Sequence, residues 1–548
     1  MYPSAYYATS SPTPPTSFSP TPPTTFRPTS NTPPNVLMLI ADDFKPLMNT
    51  YGSPLVGKNP VYQGNLDMLA RKGVAFMNAH SQMSFCGPSR ASFMVSLRPD
   101  TLRIYELKAN QLYTALKRFS NVGASGVAPL PQIFKQLGYN SYGIGKIFHE
   151  NEFALMQSAL LWNTPVFTWL SNYARPPSFT KPYQGSWIDF PTTSDTAFAD
   201  GQAAQMAVGL LQTLSADTST PFFLAVGLWK PHLPWRAPAK YLDTATNFNA
   251  AFGGGVTGGL SQAQYLLARG NGCGEVHAYA GSPSKLDAST ASAATCAAGN
   301  RAYHATAVYM DTQMGIILNA LYASSAANST HVIFFGDHGF HLGDHGLYCK
   351  HTNYQQGTHV PLIFAPAQSV TSYARGKQSW APVELLDVIP TIMDLTGLTS
   401  VATGSSTWEG VSLLPLLKNP TLYAKSAAIA QYFRGSGSNV KMGYSARTIS
   451  YRQTRWCPFA GKLSSGRRRL TDARDLTTTT SSSSSVCFNE CYDYIGDPWE
   501  QTSVGGTNGC GNNMGSLLTS FDALKGKSPW DWAQYSKMAT AGATQQYP

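Results

Sequence analysis

Three unbroken apolar runs constrain the fold of this chain more than any other feature. They are VLMLI at 36–40, PFFLAVG at 221–227 and HVIFFG at 331–336, and none shows polar alternation. That is the pattern of strands covered on both faces. Stretches with helical spacing lie between them, including residues 130–137 and 305–321. Strands alternating with helices predict an α/β domain with a mainly parallel sheet flanked by helices. Its ligands should bind beyond the carboxyl ends of the strands. Two of the runs end in acids, at Asp42-Asp43 and at Asp337-His338. Either pair alone reads as a turn or helix cap. Two pairs at the same edge of one sheet predict a divalent metal site.

At 548 residues the chain exceeds one ordinary core, so a smaller second unit is expected. Residues 1–34 read as a disordered Pro/Thr/Ser-rich segment without the basic start and apolar stretch of a signal peptide. The large domain is expected over 35–433, with 246–300, rich in Gly, Ala and Ser, as an inserted loop. Residues 434–548 would form a smaller α+β domain interrupted by low complexity at 461–485. No apolar run reaches the roughly 18 residues of a spanning helix, so no membrane span is expected. The net charge of +10 favours an anionic partner, yet no nucleic-acid motif is present. A small anion or a polysaccharide fits better.

The eight cysteines lack the paired spacing of a zinc site. Cys273 with Cys296, and the group Cys457, Cys487, Cys491 and Cys510, suit local disulfides of an oxidising compartment. Cys487 or Cys491 is expected to pair within its group. The sequon Asn328-Ser329-Thr330 is compatible with secretion. Cys86 stands apart, opening the stretch CGPSRASFMV. A buried structural cysteine asks nothing of its neighbours, whereas this one precedes Pro88, Ser89 and Arg90 at the start of an apolar run.

Cys86-x-Pro88-Ser89-Arg90 resembles the signature of the sulfatase family, in which the cysteine is oxidised after translation to formylglycine. The likeness is to the iduronate-2-sulfatase branch, whose lysosomal members act on glycosaminoglycans. It recurs in ADDFKP (41–46), RPDTLRIYE (98–106), GKIFH (145–149), FFLAVGLWKPHLP (222–234) and YMDTQMG (309–315). Further on it includes GDHGFHLGDHG (336–346), THVPLIF (358–364), MGYSARTISYR (442–452) and YDYIGDPWE (492–500). The family usually continues the signature with Thr-Gly-Arg, where this chain has Ser96-Leu97-Arg98.

The resemblance implies an alkaline phosphatase-like fold and hydrolysis of sulfate esters, here of a sulfated sugar or glycosaminoglycan. It implies that Asp42, Asp43, Asp337 and His338 hold one divalent cation, calcium in most of the family, together with formylglycine 86. A hydrated aldehyde would attack sulfur with one hydroxyl, and deprotonation of the other would expel sulfate. Arg90 would orient this group, while Lys146 and Lys350 clamp the sulfate. His149 would be the base for the second hydroxyl, and His232 the acid for the leaving oxygen, which Lys350 also faces. The implied maturation partner is a formylglycine-generating enzyme, and the implied location is the secretory pathway, lysosomal or extracellular. Two other readings compete. One is a silent anion-binding homologue whose Cys86 stays a thiol; the other is a phosphatase or phosphodiesterase of the same superfamily, against which the cysteine at 86 argues.

Overall fold

The computed structural model describes residues 33–52, 64–121, 126–164, 187–244, 293–435, 440–459, 488–494, 497 and 500. The expected segments 1–32, 246–292 and 461–485 lie outside these, as do Cys273, Cys487 and Cys510. An eight-stranded sheet is built from β1 (Asn35–Asp42), β2 (Val74–His80), β3 (Asn140–Gly145) and β4 (Phe222–Pro231). It is completed by β5 (Thr330–Gly336), β6 (His359–Val360), β7 (Leu362–Ala365) and β8 (Lys377–Glu384). The order is β8-β2-β7-β5-β1-β4-β3, with β6 beside β2. The three apolar runs are the adjacent strands β5, β1 and β4, all parallel, with Leu39 opposite Phe334 on one side and Val226 on the other. β7 alone runs antiparallel to both of its main neighbours, β5 and β2.

The absence of alternation has a direct cause. Val36, Met38 and Ile40 enter one apolar core with Phe93 and Phe335, while Leu37, Leu39 and Ala41 enter another with Met310, Met314 and Ile317. Both faces of β1 are therefore dry. The helices used below are α1 (Cys86–Val95), α2 (Gln111–Asn121), α3 (Ala199–Ala216), α4 (Ala293–Tyr322) and α5 (Val388–Leu395). α4 starts inside the stretch expected as loop, because Ala293, Ala294, Ala297 and Ala298 are strong helix formers.

A second sheet, antiparallel throughout, has the order β9 (Ala428–Arg434), β10 (Lys441–Arg447), β11 (Tyr451–Pro458), β12 (Phe488–Asp493). It starts at Ala428, a little before the expected border at 433. It meets the loops that follow the strands of the large sheet: the Gln431 N–H donates to the Gln82 carbonyl (2.8 Å), and the Arg452 guanidinium to the Asn353 carbonyl (2.8 Å).

Cys349, Cys457 and Cys491 are disulfide-bonded, whereas Cys86 and Cys296 are free. The expected Cys273–Cys296 bridge does not form. Cys296 instead lies in the first turns of α4 and packs, half-buried, against the apolar core. Among the described residues no helix is long and apolar enough to cross a membrane.

Candidate active site

Every expected site residue arrives from the carboxyl end of a strand. β1 ends at Asp42 and Asp43, β3 leads into Lys146 and His149, β4 into His232, and β5 into Asp337 and His338. β2 leads through Ser81–Phe85 into α1, whose first residue is Cys86. Gly145 makes the turn into Lys146 possible. It has φ +74, and a Cβ there would stand 2.1 Å from the Gly227 carbonyl oxygen, which accepts the Lys146 N–H. Asp43 also holds a left-handed backbone, φ 59, fixed by its N–H to Asp337 Oδ1 (3.0 Å) and by the Tyr303 hydroxyl on its carbonyl.

These elements converge on one buried cluster. One ligand-type atom from each of Asp42, Asp43, Cys86 and His338 lies within 4.8 Å of the others. His338 Nε2 is 3.1 Å from Cys86 Sγ and 3.3 Å from Asp43 Oδ1. Lys350 Nζ reaches Asp43 Oδ1 at 2.7 Å and Cys86 Sγ at 3.3 Å, and Lys146 Nζ reaches Asp42. Arg90 spans two carboxylates, with Nε to Asp337 Oδ2 (2.9 Å) and Nη2 to Asp42 Oδ1 (3.3 Å), while Nη1 donates to the Ile147 carbonyl. Asp337 stands beside the cluster, its oxygens already receiving Arg90 and the N–H groups of Asp43 and His338. Asp43 Oδ2 is buried with no hydrogen-bond partner. A buried carboxylate oxygen left bare is costly unless a cation meets it.

The ring nitrogens are assigned by their backbone partners. His338 Nδ1 faces the Gly339 carbonyl (2.9 Å) and His232 Nδ1 the Leu233 carbonyl (2.6 Å). A carbonyl only accepts, so each Nδ1 carries a proton and each Nε2 is turned to other work. His149 is the reverse: the Asn151 N–H donates to its Nδ1 at 3.3 Å, placing the proton of the neutral ring on Nε2.

Burial and charge then divide the roles. Burial alone would raise Asp42, but Lys146, His232 and Arg90 outweigh it and hold that carboxyl well below its usual range. Burial raises Asp43 despite Lys350, and burial with the Asp42 charge pushes Asp337 up to about 7. His338 is pushed down to about 4 by burial and Lys350, so its ring is neutral at physiological pH. Burial opposes the charged form of His232, yet Asp43 prevails and raises it. Burial and Lys146 drive His149 well down. The unmodified Cys86 is raised well above a free thiol by burial and Asp42. It is a neutral thiol at physiological pH and a poor nucleophile as it stands.

The family model for sulfatases matches residues 34–398. The chain belongs to the sulfatase family of sulfuric ester hydrolases. It is 29% identical over 490 residues to the iduronate 2-sulfatase of Homo sapiens, covering 78% of this chain and 85% of that protein. A sulfatase of Formosa agariphila is 29% identical over 434 residues, covering 76% and 79%. Among solved structures, the phosphonate monoester hydrolase of Agrobacterium radiobacter superposes with a TM-score of 0.60 at 19% identity, covering 92% of this chain and 96% of that one. A 2-O GAG sulfatase gives 0.56 at 18%, covering 92% and 93%. At such identity these structures speak for the fold alone, and it is the alkaline phosphatase-like fold that the signature implies.

In this sulfatase the altered end of the signature is built into the scaffold. Ser96 is the left-handed C-cap of α1, φ 56, and its hydroxyl donates to the Leu386 carbonyl at 2.7 Å. Leu97 is buried in the same core as Leu102 and Ile389. Arg98 makes a two-pronged bond to Glu384 (2.7 and 3.0 Å), which Lys425 also contacts.

Sequence reasoning missed several supporting residues. Ser89 donates to the Asp337 carbonyl (2.6 Å) and so ties the signature helix to the loop that carries Asp337 and His338. Ser84 and Thr352 exchange hydrogen bonds that set the loop bearing Lys350. Trp229 carries Lys146 Nζ 4.2 Å over its ring and meets His232 edge-to-face. Ser89 and Trp229 lie inside the matched motifs, which was the only available signal.

Proposed function

We propose that this sulfatase hydrolyses sulfate esters of a sulfated sugar, of the 2-O-sulfated uronic acid class found in glycosaminoglycans. The observation that carries the reading is the convergence of Asp42, Asp43, Cys86 and His338 within 4.8 Å, with Lys146 and Lys350 at its edge. The unmatched Asp43 oxygen, the neutral His338 Nε2 and two carboxylates fit a divalent cation, and the oxygen-rich set favours calcium. Asp42, Asp43, Asp337 and His338 would hold it beside residue 86. When present, formylglycine supplies the nucleophilic hydroxyl and the cation draws charge from a sulfate oxygen.

The remaining work falls to side chains already in place. Lys146 and Lys350 neutralise the charge of the sulfate, and Arg90 keeps Asp42 and Asp337 aligned. Position 86 at the amino end of α1 sets the positive end of the helix dipole near the anion. His232, whose Nδ1 faces the Leu233 carbonyl and whose pKa Asp43 raises against burial, gives its Nε2 proton to the leaving sugar oxygen. His149 takes a proton from residue 86 in the second half-reaction, after its ring has exchanged tautomer away from the Asn151 N–H. The wider reading includes maturation by a formylglycine-generating enzyme in the secretory pathway, with a catalytic domain from residue 35 up to the second sheet and a smaller domain that starts with that sheet at Ala428. Relatives named as iduronate 2-sulfatases, the net charge of +10 and the three disulfide-bonded cysteines support it.

The test joins mass and activity. Conversion of Cys86 lowers the mass of its peptide by about 18 Da. The converted protein should release sulfate from an oligosaccharide ending in a 2-O-sulfated uronic acid, lose that activity to a calcium chelator, and regain it with calcium. A converted, calcium-loaded protein inactive on this substrate but active on other sulfated sugars would overturn the proposed specificity. An unconverted Cys86 in protein made alongside the generating enzyme would overturn the mechanism.

A further inference from the structure

We propose that Asn328 is an N-glycosylation site, modified before the chain folds, at the edge of the molecule opposite the active site. The proposal rests on the secretory part of the reading above. Asn328-Ser329-Thr330 is the sole Asn-x-Ser/Thr sequence with a residue other than proline in the middle. Asn328 is exposed in the turn between α4 and β5. Its backbone is pinned, since the carbonyl accepts the Ser369 N–H at 3.0 Å, so the exposed side chain is held at the surface. An independent observation concerns the compartment. Cys349, Cys457 and Cys491 are in disulfides, which form where N-linked transfer also takes place.

Position makes the modification harmless. The Asn35 N–H donates to the Ser329 carbonyl at 2.9 Å, so the sequon abuts the first residue of β1. Asp42 lies at the last residue of that strand, roughly 25 Å away at strand rise. Timing follows from Thr330. Its residue is buried and its hydroxyl donates to the Ala326 carbonyl at 2.8 Å, so the folded protein cannot offer that hydroxyl to a transferase. The acceptor is the nascent chain. In the transfer, the Asn328 amide nitrogen forms a bond to C1 of a lipid diphosphate-linked oligosaccharide. The C1–oxygen bond to the diphosphate breaks, the lipid diphosphate leaves, and the amide gives up one proton. Asn419-Pro420-Thr421 supplies an internal control, being equally exposed but blocked by proline.

The test uses the full chain secreted from a eukaryotic host. Enzymatic deglycosylation in heavy-oxygen water should convert Asn328 to labelled aspartate and leave Asn419 unlabelled. Asn328→Gln should remove the glycan mass shift with turnover unchanged, and Thr330→Ser should retain it. Folded, unglycosylated protein added to microsomes should stay bare; its modification would overturn the assigned timing. Alkylation in the same sample reads the compartment. Bare Asn328 with protected Cys349, Cys457 and Cys491 would overturn the site alone. Bare Asn328 with all three alkylated would overturn the secretory reading as well, and sulfate release by the same sample shows whether the enzymatic reading survives.

Discussion

Two histidines of the candidate site are assigned opposite tautomers, one by a neighbouring carbonyl and the other by a neighbouring N–H. The Leu233 carbonyl on His232 Nδ1 and the Asn151 N–H on His149 Nδ1 therefore assign different chemistry to the same side chain. His232→Ala should slow transfer to sugar substrates by 10²-fold or more, the order of a lost general acid. An activated aryl sulfate, whose leaving oxygen needs little protonation, should recover much of that loss. His149→Ala should stay impaired on both substrates; equal rescue of the two variants would refute the division of labour. If His232 is the proposed acid, activity should decline on the alkaline side as its raised pKa is passed, and His232→Ala should lose that limb of the pH profile. Cys86→Ala should be inactive. Cys86→Ser should take up one sulfate by mass and stop, since a serine ester has no second hydroxyl through which to expel it.

At the level of elements, α1 joins the reactive position to the scaffold through its last residues. Leu97 stands where the family usually has glycine, yet it fills a buried space rather than loosening the helix end. Leu97→Gly should therefore cost about 2–5 kcal/mol in urea unfolding, the range for emptying a core leucine site. A neutral or stabilising result would contradict this packing. Arg98→Ala should cost a similar amount by leaving Glu384 buried with only Lys425 and backbone partners. The legibility of each element in the sequence follows its environment. β1, β4 and β5 were visible because burial on both faces leaves an unbroken apolar run. β2, with Asn78 and His80, and β8, with Lys377 and Gln378 exposed, mix polar and apolar residues and gave no such run. The antiparallel insertion of β7 between β5 and β2 is a matter of topology, which local composition does not encode. Asp42-Asp43, Cys86 and Asp337-His338 were legible because motif and strand end coincide. Arg452 and Ser84 were not, since their partners lie far away in the chain.

Across the whole molecule, buried neutral histidines dominate the response to acid. Burial pushes His331 down to about 4 and His341 and His359 to about 3, and His80, His304 and His345 are lowered for the same reason. A depressed folded pKa contributes stability above the unfolded value near 6.5 that is lost as pH falls toward the folded one. Glu152 and Glu409 act oppositely. Burial raises both to about 7, so the fold gains from their protonation as pH falls through that range. Outside the candidate site six histidines are lowered against four carboxyls raised, Glu152, Glu409, Asp311 and Asp387. The two aspartates start from a lower ordinary value, so the histidines prevail between pH 7.5 and 5. Tm should therefore drop between pH 7.5 and 5 at fixed calcium, and Glu409→Gln should steepen the drop. A flat or rising Tm would refute this balance.

The common polarity of β1, β3, β4 and β5 has a practical corollary. The candidate site lies at one rim, and at the opposite rim Asn35, the first residue of β1, meets Ser329 beside Asn328. A bead or surface coupled at that far rim would leave the face carrying the candidate site turned outward, toward substrates too large to diffuse into a matrix.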